Sequence, residues 1–328
     1  MIRLATIGTS DICDKFLSAA ALTNEYELSA VYSRKFDTGL DFAKKHRCET
    51  VFTDLEKMAK CDFVDAVYIA SPNVFHTNQA KIFLENGKHV LCEKPIVTKA
   101  ENYIELKSLA DKNGLIYMEA IIPRHVSCYK KIKEALKEIG KISEAKINYL
   151  QRSSRLDDFL RGEKVNIFDM SLHAGALMDL GVYCVYGAVD LLGEPNNITA
   201  EKTLLSNGAD GAGKSCFDYG DFKAILTYSK TEQGTSGSEI IGDKGILKIQ
   251  MISQYAGAAL IKDDCEISVT PHLSKAEQMR GEAQHFADYI LRFAENKQDY
   301  VSASELCLNV HKCMDLIKKS AGLIYPEE

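Results

Sequence analysis

The chain has 328 residues, of which 46% are hydrophobic, and a formal net charge of -6. This length predicts two domains, and the mild charge, without a basic run interleaved with aromatic residues, argues against a nucleic-acid partner. No window approaches the roughly 18 apolar residues of a membrane span, and the apolar stretch at the start is too short for a signal peptide, so we expect no membrane partner.

The first part of the chain alternates short apolar runs with helical patterns. Predicted strands occupy residues 2–7, 28–32, 51–52, 66–70 and 90–92, and predicted helices include 14–22, 42–46 and 76–86. Strands separated by helices of this length make βαβ units, so we expect a parallel sheet with right-handed crossovers.

From residue 119 onward the pattern changes. The predicted elements are a helix at 126–138, a strand at 145–150, an apolar helix at 174–192, strands at 215–219, 223–228, 238–241, 246–250, 258–261 and 266–270, and helices at 274–294 and 302–320. Gly242-Asp243-Lys244-Gly245 is a hairpin signal between two of these strands. Consecutive hairpin-joined strands predict an antiparallel sheet.

The first strand runs into Ile7-Gly8-Thr9-Ser10-Asp11-Ile12-Cys13, and a helix follows. A dinucleotide fold places its glycine-rich turn here, so that the pyrophosphate meets the helix N-terminus. Gly8, Thr9, Ser10 and Ile12 are therefore candidate cofactor contacts, although Ser10 and Cys13 replace the second and third glycines. The alternative is an ordinary βα turn that needs one glycine.

The second strand ends in Ser33-Arg34. NAD sites usually have an acid at this position for the ribose 2′-hydroxyl, whereas an arginine beside a hydroxyl suits a 2′-phosphate. These two residues favour NADP over NAD. The alternative is a solvated arginine after a strand.

The fourth strand leads into Ala70-Ser71-Pro72-Asn73, with His76 shortly after. This is again the carboxyl edge of the sheet, where open α/β sheets bind ligands. The small residues would let a cofactor approach the backbone, and Asn73 and His76 could offer hydrogen bonds. The same residues also make a plain turn and helix start.

The next strand delivers Glu93-Lys94-Pro95 to the same edge. Pro95 confines Lys94 to extended backbone angles. An ammonium held there could stabilise developing oxyanion charge, or exchange a proton with a substrate hydroxyl. The alternative is a loop lysine paired with Glu93.

The stretches AVYIASPN (residues 66–73) and GKHVLCEKP (87–95), with His76 between them, resemble the Gfo/Idh/MocA family of oxidoreductases. The resemblance implies an α/β protein with a Rossmann dinucleotide-binding domain at 1–121. It also implies an α+β domain at 122–328 with an open, mostly antiparallel sheet for substrate binding and oligomer contacts. We further expect the terminal helix to pack back on the first domain and the Lys94-Pro95 peptide to be cis.

A second stretch, AGALMDLGVY (174–183), is similar to the family segment that completes the active site, with Asp179 and Tyr183 as the candidates. Residues i and i+4 share a helix face, and an acid inside an apolar helix is costly without a purpose. Tyrosine rather than histidine resembles the dihydrodiol and xylose dehydrogenase branches, not the inositol dehydrogenase branch. A phenol has a pKa of ~10, which a nearby Lys94 cation would lower. The alternative is a structural acid and a core tyrosine.

The segment around Arg124 also looks like the family's domain junction, which makes Arg124 a candidate near the cofactor. Ten scattered cysteines without CxxC or zinc-ligand spacing predict a cytoplasmic protein and no metal site. We expect an NADP-preferring dehydrogenase, with NAD possible, acting on a sugar, polyol or cyclic diol and forming a homodimer or higher oligomer. The alternatives are a non-catalytic dinucleotide-binding regulator and an NAD-dependent glycosidase.

Overall fold

The computed structural model describes residues 1–271 and 273–326. Within them the chain forms two compact units. The first consists of Met1–His125 together with Ser274–Ser304, and the second of Val126–Leu273 together with the residues from Glu305 onward. These units differ from the predicted limits, 1–121 and 122–328, because the segment 274–304 belongs to the first unit.

The first unit is built on a six-stranded sheet in which every neighbouring pair of strands is parallel. Its strands are β1 (Ile2–Ile7), β2 (Tyr26–Tyr32), β3 (Val51–Phe52), β4 (Ala66–Ile69), β5 (His89–Glu93) and β6 (Tyr117–Ala120). The spatial order, β3-β2-β1-β4-β5-β6, is that of a Rossmann fold. Strands β4 and β6 are buried along their whole length, as expected of a parallel sheet covered on both faces.

The α-helices are α1 (Asp11–Ala21), α2 (Phe36–Lys45), α3 (Leu55–Ala59), α4 (His76–Glu85), α5 (Ala100–Lys112), α6 (Ile122–His125), α7 (Tyr129–Glu138), α8 (Leu156–Leu160), α9 (Val182–Leu192), α10 (Lys275–Leu291) and α11 (Phe293–Ala321). Helix α10 packs against α1 in the first unit. The hydroxyl of Tyr26 donates to the carbonyl oxygen of Ala283 at 2.5 Å, and Arg292 pairs with Glu25 at 2.8 Å. It is thus α10 with the start of α11, rather than the end of the chain, that belongs to the first unit.

The second unit contains an eight-stranded sheet in the order β14-β13-β12-β11-β7-β10-β9-β8. Its strands are β7 (Ile142–Leu150), β8 (Asn197–Leu204), β9 (Asp210–Asp218), β10 (Lys223–Ser229), β11 (Ser238–Gly242), β12 (Gly245–Met251), β13 (Ala256–Lys262) and β14 (Cys265–Ser268). All neighbours are antiparallel except β7 and β10. The predicted fold class, a Rossmann sheet and a mostly antiparallel sheet, is confirmed.

An apolar segment lies at the centre of the second unit. Met170–Leu192 has the length and composition of a membrane span, contrary to the expectation from the sequence, but 78% of its most apolar window is buried inside the structure, as in a core helix. The predicted α-helix at 174–192 is wrong in its first half, because Leu177–Gly181 forms a π-helical turn and α9 begins only at Val182.

Candidate active site

The turn after β1 depends on glycine. Gly8 has φ +113°, and a Cβ there would lie 2.8 Å from the carbonyl oxygen of Ala70, just past β4. Both the backbone conformation and the close approach of the two chain segments therefore require glycine. The ends of β1 and β4 meet at the edge where open α/β sheets bind ligands.

Thr9 and Ser10 lead from this turn into α1. Ser10 occupies the N-cap position, and within the described residues its hydroxyl makes no capping hydrogen bond. It lies 3.8 Å from the Sγ atom of Cys13, which fills the position of the third glycine and is buried, while Ile12 is half-buried. A helix N-terminus without a side-chain cap suits the binding of a phosphate group.

The two candidates after β2 have different surroundings. Ser33 is 8% exposed, its N–H donates to the carbonyl oxygen of Phe52 at 3.0 Å, and its Oγ accepts from the N–H of Lys35 at 3.3 Å. Arg34 is exposed, and it forms no ion pair within the part of the chain that the structure describes. An unpaired guanidinium at this edge is available to an anionic ligand.

The ring of His76 contacts two backbone segments. Its ring is fully buried, with Nδ1 2.9 Å from the carbonyl oxygen of Pro95 and Nε2 2.8 Å from that of Ser71. Burial lowers the pKa of His76. Both ring nitrogens lie next to backbone carbonyl groups of the turn after β4 and the segment after β5, and cofactor binding by His76 stays a prediction.

The side chains around this turn are partly engaged. The hydroxyl of Ser71 donates to Oε1 of Gln79 at 2.6 Å, so it contributes to the turn itself. Asn73 is half-buried and begins the short 3₁₀ helix Asn73–Phe75. The N–H of Ala70 donates to the carbonyl oxygen of Ile7 at 2.9 Å, which joins the ends of β4 and β1.

Lys94 stands on a well-anchored segment. The Lys94-Pro95 peptide is cis, as the resemblance implied. Glu93 accepts from the hydroxyl of Tyr68 at 2.5 Å and from the N–H of Lys94 at 3.3 Å, and burial raises the pKa of Glu93. The N–H of Ile96 donates to Glu119 at 2.8 Å. Hydrogen bonds on both sides thus fix the backbone that carries the half-buried Lys94.

Arg124 has a structural partner. It is 6% exposed, and its Nη2 donates to Oδ1 of Asp299 at 2.7 Å and to the carbonyl oxygen of the same residue at 3.3 Å. A buried arginine paired in this way costs much to separate. The ion pair joins α6 to the start of α11, and a place for Arg124 near the cofactor stays a prediction.

Asp179 lies in the π-helical turn Leu177–Gly181 of the second unit. Its carboxylate is 40% exposed and accepts a hydrogen bond from the ammonium of Lys230, which is buried. The i and i+4 spacing of Asp179 and Tyr183 does not belong to a regular α-helix, because the N–H of Val182 donates to the carbonyl oxygen of Leu177, five residues back. Such π-helical turns occur often at functional sites.

Tyr183 is half-buried in the first turn of α9. Its ring packs edge-on against Tyr149, with the centroids 5.8 Å apart and the planes at 67°. The hydroxyl of Tyr149 donates to Oε1 of Gln151 at 3.1 Å. The second unit therefore presents Asp179 and Tyr183 on the segment leading into α9, and the first unit presents Gly8, Arg34 and Lys94 at one sheet edge.

Two buried charged residues of the structure were not predicted from the sequence. Lys230, the partner of Asp179, follows β10 and is unremarkable in sequence. Glu282 is 1% exposed, and its Oε2 has no hydrogen-bond partner among the described residues; burial and the charge of Glu93 raise the pKa of Glu282. The sequence does carry a signal for the burial of Glu282, because this residue lies on the face of α10 that also buries Phe286.

The chain matches two family models. One, described as an oxidoreductase family with an NAD-binding Rossmann fold, covers residues 2–121, and the other, the GFO/IDH/MocA C-terminal domain, covers residues 129–248. The chain is also 38% identical to scyllo-inositol 2-dehydrogenase (NADP(+)) IolU of Bacillus subtilis, over 100% of this chain and 99% of the relative.

More distant similarities agree. The trans-1,2-dihydrobenzene-1,2-diol dehydrogenase of Xenopus tropicalis is 26% identical, with 92% of each chain covered, which confirms the likeness to the dihydrodiol dehydrogenases. The expectation that Tyr183 separates the chain from the inositol dehydrogenases is wrong, because the identity to IolU is higher, at 38%. The crystal structure of KijD10, a 3-ketoreductase from Actinomadura kijaniata in complex with NADP and TDP-benzene, has a TM-score of 0.83 at 22% identity, over 98% of each chain, and shows the shared fold. The chain belongs to the GFO/IDH/MocA family of NAD(P)-dependent oxidoreductases.

Proposed function

We propose that this protein is an NADP-dependent dehydrogenase that interconverts a secondary hydroxyl and a ketone on a polyol, with inositols as the favoured class. The observation that carries the proposal is the 38% identity, over the whole chain, to a relative named as an NADP-dependent scyllo-inositol dehydrogenase. Sugars and cyclic diols, which the motifs also predicted, present the same secondary hydroxyl and are the next substrates to test.

Three features of the first unit support a dinucleotide with a 2′-phosphate. Glycine at position 8 lets the turn after β1 approach the backbone at Ala70, at the sheet edge where a dinucleotide fold binds its pyrophosphate. The N-terminus of α1 lacks a side-chain cap from Ser10 and can bind the same group. Arg34 is exposed and has the fork geometry that a phosphate prefers. The nicotinamide of the bound cofactor would accept or supply the hydride.

The protein's own side chains would bind the substrate and move its proton. Lys94 is the proposed cation beside the reacting oxygen, where an ammonium stabilises developing negative charge. Tyr183 is the proposed acid and base, because a phenolic hydroxyl can both donate and accept the proton of a substrate hydroxyl. Asp179 is the proposed acceptor for further substrate hydroxyls. In the oxidation direction, the Tyr183 phenolate takes the hydroxyl proton while the carbon gives up its hydride.

The test is a substrate panel followed by nicotinamide absorbance. scyllo-Inositol, myo-inositol, aldoses and a trans-dihydrodiol are each incubated with the protein and NADP⁺ or NAD⁺. We expect turnover of at least one inositol with NADP⁺, at a higher kcat/KM than with NAD⁺. Tight NADPH binding without turnover of any substrate would favour the regulator, and release of a sugar from an aryl glycoside with NAD⁺ would favour the glycosidase.

We also propose that the protein forms a homodimer or a higher homo-oligomer. One face of the eight-stranded sheet carries half-buried apolar side chains at Ile225, Ile241 and Ile246, which the strand register places on the same side as Lys146 and Glu239. An apolar patch with a polar surround is typical of a protein contact. Light scattering after gel filtration measures the mass, and a monomer would contradict this expectation.

A further inference from the structure

Lys230 is a buried cation next to the active-site segment of the second unit. It directly follows β10, its side chain is 4% exposed, and its N–H donates to the carbonyl oxygen of Gly211 at 2.8 Å. This bond fixes the backbone at the point where the side chain enters the interior. A lysine is seldom buried without a partner, because removing an ammonium from water costs several kcal/mol unless the charge is compensated.

The compensation comes from one ring and one carboxylate. The ammonium lies 5.7 Å from the ring centroid of Phe168, which is fully buried and packs with Leu156 and Val165, and a desolvated cation over an aromatic face is stabilised. Its ion-pair partner within the described residues is Asp179. The ammonium of Lys230 therefore lies against a buried apolar cluster on one side and forms its ion pair with one carboxylate, that of Asp179.

The exposure of the two partners is unequal, and this distinguishes the pair from a structural one in the same unit. In the pair of Lys133 with Asp190, the carboxylate is 6% exposed and the lysine 34%, and Asp190 also accepts from the hydroxyls of Tyr129 and Tyr255. In the pair of Lys230 with Asp179, the carboxylate is 40% exposed. In the first pair the carboxylate is buried within the fold. In the second pair the carboxylate is partly exposed, and the buried lysine is the partner that fixes it.

We infer that Lys230 is a positioning residue that holds Asp179 in one orientation and in its ionised form, as an acceptor for substrate hydroxyls. This inference rests on the proposed function, because it assumes that Asp179 contacts the substrate. A carboxylate accepts hydrogen bonds only, so an ionised Asp179 would bind substrates that present hydroxyl donors. A polyol presents several such donors, and a carbonyl without a neighbouring hydroxyl presents none.

The positive charge of Lys230 also acts on a second carboxyl group. Asp210, in β9, accepts from the N–H of Leu177 at 2.6 Å, and the hydroxyl of Tyr325 lies 3.5 Å from its other oxygen. Burial raises the pKa of Asp210 to about 6, and the charge of Lys230 acts in the opposite direction. Any change of pH dependence on removing Lys230 must therefore be assigned to Asp179 or to Asp210 by experiment.

The experiment uses the full-length protein and a substrate that the wild type turns over. Lys230→Met removes the charge with little change of length, Lys230→Arg keeps a charge, and Lys133→Met is the matched control for loss of a lysine–aspartate pair in the same unit. For each variant, kcat, KM and the pH profile of kcat/KM are measured. NADPH titration and thermal unfolding show that the variant is folded.

We expect Lys230→Met to reduce kcat/KM about tenfold or more, since a hydrogen bond to a charged group is lost. We also expect the acid limb of its pH profile, the low-pH side on which kcat/KM falls, to move upward by roughly one to three pH units. The reason is that no cation then favours the ionised form of the Asp179 carboxyl group. Lys230→Arg should recover part of the activity, and Lys133→Met should lower thermal stability without moving the limb. Wild-type kcat/KM and an unmoved limb in Lys230→Met would overturn the inference.

Two further variants separate the causes. In an Asp179→Asn background, Lys230→Met should cause no further shift of the acid limb; a shift that persists there belongs to Asp210 and overturns the inference. The double variant leaves no Asp179 carboxylate without its lysine partner. It can therefore be measured even if Lys230→Met alone unfolds. Impaired turnover in Asp179→Asn beside wild-type turnover in Lys230→Met overturns this inference and leaves the proposed function standing. Wild-type turnover in Asp179→Asn overturns the proposed role of Asp179 and this inference with it.

Discussion

Replacing Arg34 by alanine should reduce the preference of this protein for NADPH over NADH. Arg34 is exposed at the end of β2 and has no ion-pair partner within residues 1–271 and 273–326, so its removal leaves no buried charge behind. The substitution takes away charge-assisted hydrogen bonds to a 2′-phosphate, which are worth about 1.5–3 kcal/mol. Solvent and salt screen an exposed pair, so we take the lower end of that range.

At about 1.4 kcal/mol for each factor of ten, this loss raises the Kd of NADPH about tenfold. NADH has no 2′-phosphate, so its Kd should change by no more than about twofold. Both constants come from titration of the protein with the reduced cofactor and detection of nicotinamide fluorescence. Lys112→Ala, which removes an exposed cation from the last turn of α5, is the control and should leave both constants unchanged. Equal losses for NADPH and NADH in Arg34→Ala would refute the reading of Arg34 as a phosphate ligand.

Four other substitutions test the site. Lys94→Ala and Tyr183→Phe should each reduce kcat steeply while NADPH still binds, as measured by absorbance and fluorescence; unchanged kcat in Tyr183→Phe would move the proton transfer to Lys94. Gly8→Ala should weaken NADPH binding and cost roughly 1–3 kcal/mol of stability, because φ is +113° and Ala70 lies 2.8 Å from the new Cβ; wild-type affinity and wild-type stability would contradict this. His76→Phe keeps an aromatic ring but removes the one N–H that a neutral imidazole donates to a backbone carbonyl group, so urea unfolding should show a loss of roughly 1–3 kcal/mol, and an unchanged midpoint would show that this bond contributes nothing.

The elements of the cofactor side could be predicted because their signals are local. An apolar run followed by glycine predicts β1 and the turn at Gly8, and the run that ends at Lys94-Pro95 predicts β5 and its anchored end. The long hairpin-joined strands of the second unit, such as β11 and β12, were recognised for the same reason. In each case a few neighbouring residues carry both the strand pattern and its termination.

Other elements gave weaker local signals. Strand β8 (Asn197–Leu204) was not predicted, since it lies at the edge of its sheet and buries only Ile198, which leaves no alternation of apolar and polar residues to detect. The π-helical turn at Leu177–Gly181 was missed because its sequence is as apolar as that of the α-helix it precedes. The parallel pairing of β7 with β10 depends on strands far apart in the chain.

The sequence by itself determined the two sheets, the family and the positions at which Gly8, Lys94, Asp179 and Tyr183 stand. Only the tertiary structure decided which charged groups are available and which are paired. Arg124 is bound to Asp299, 175 residues away, and Asp179 to Lys230, 51 residues away. The physical reason is that a buried charge must find its partner among side chains that only folding brings together, and no local pattern records that pairing.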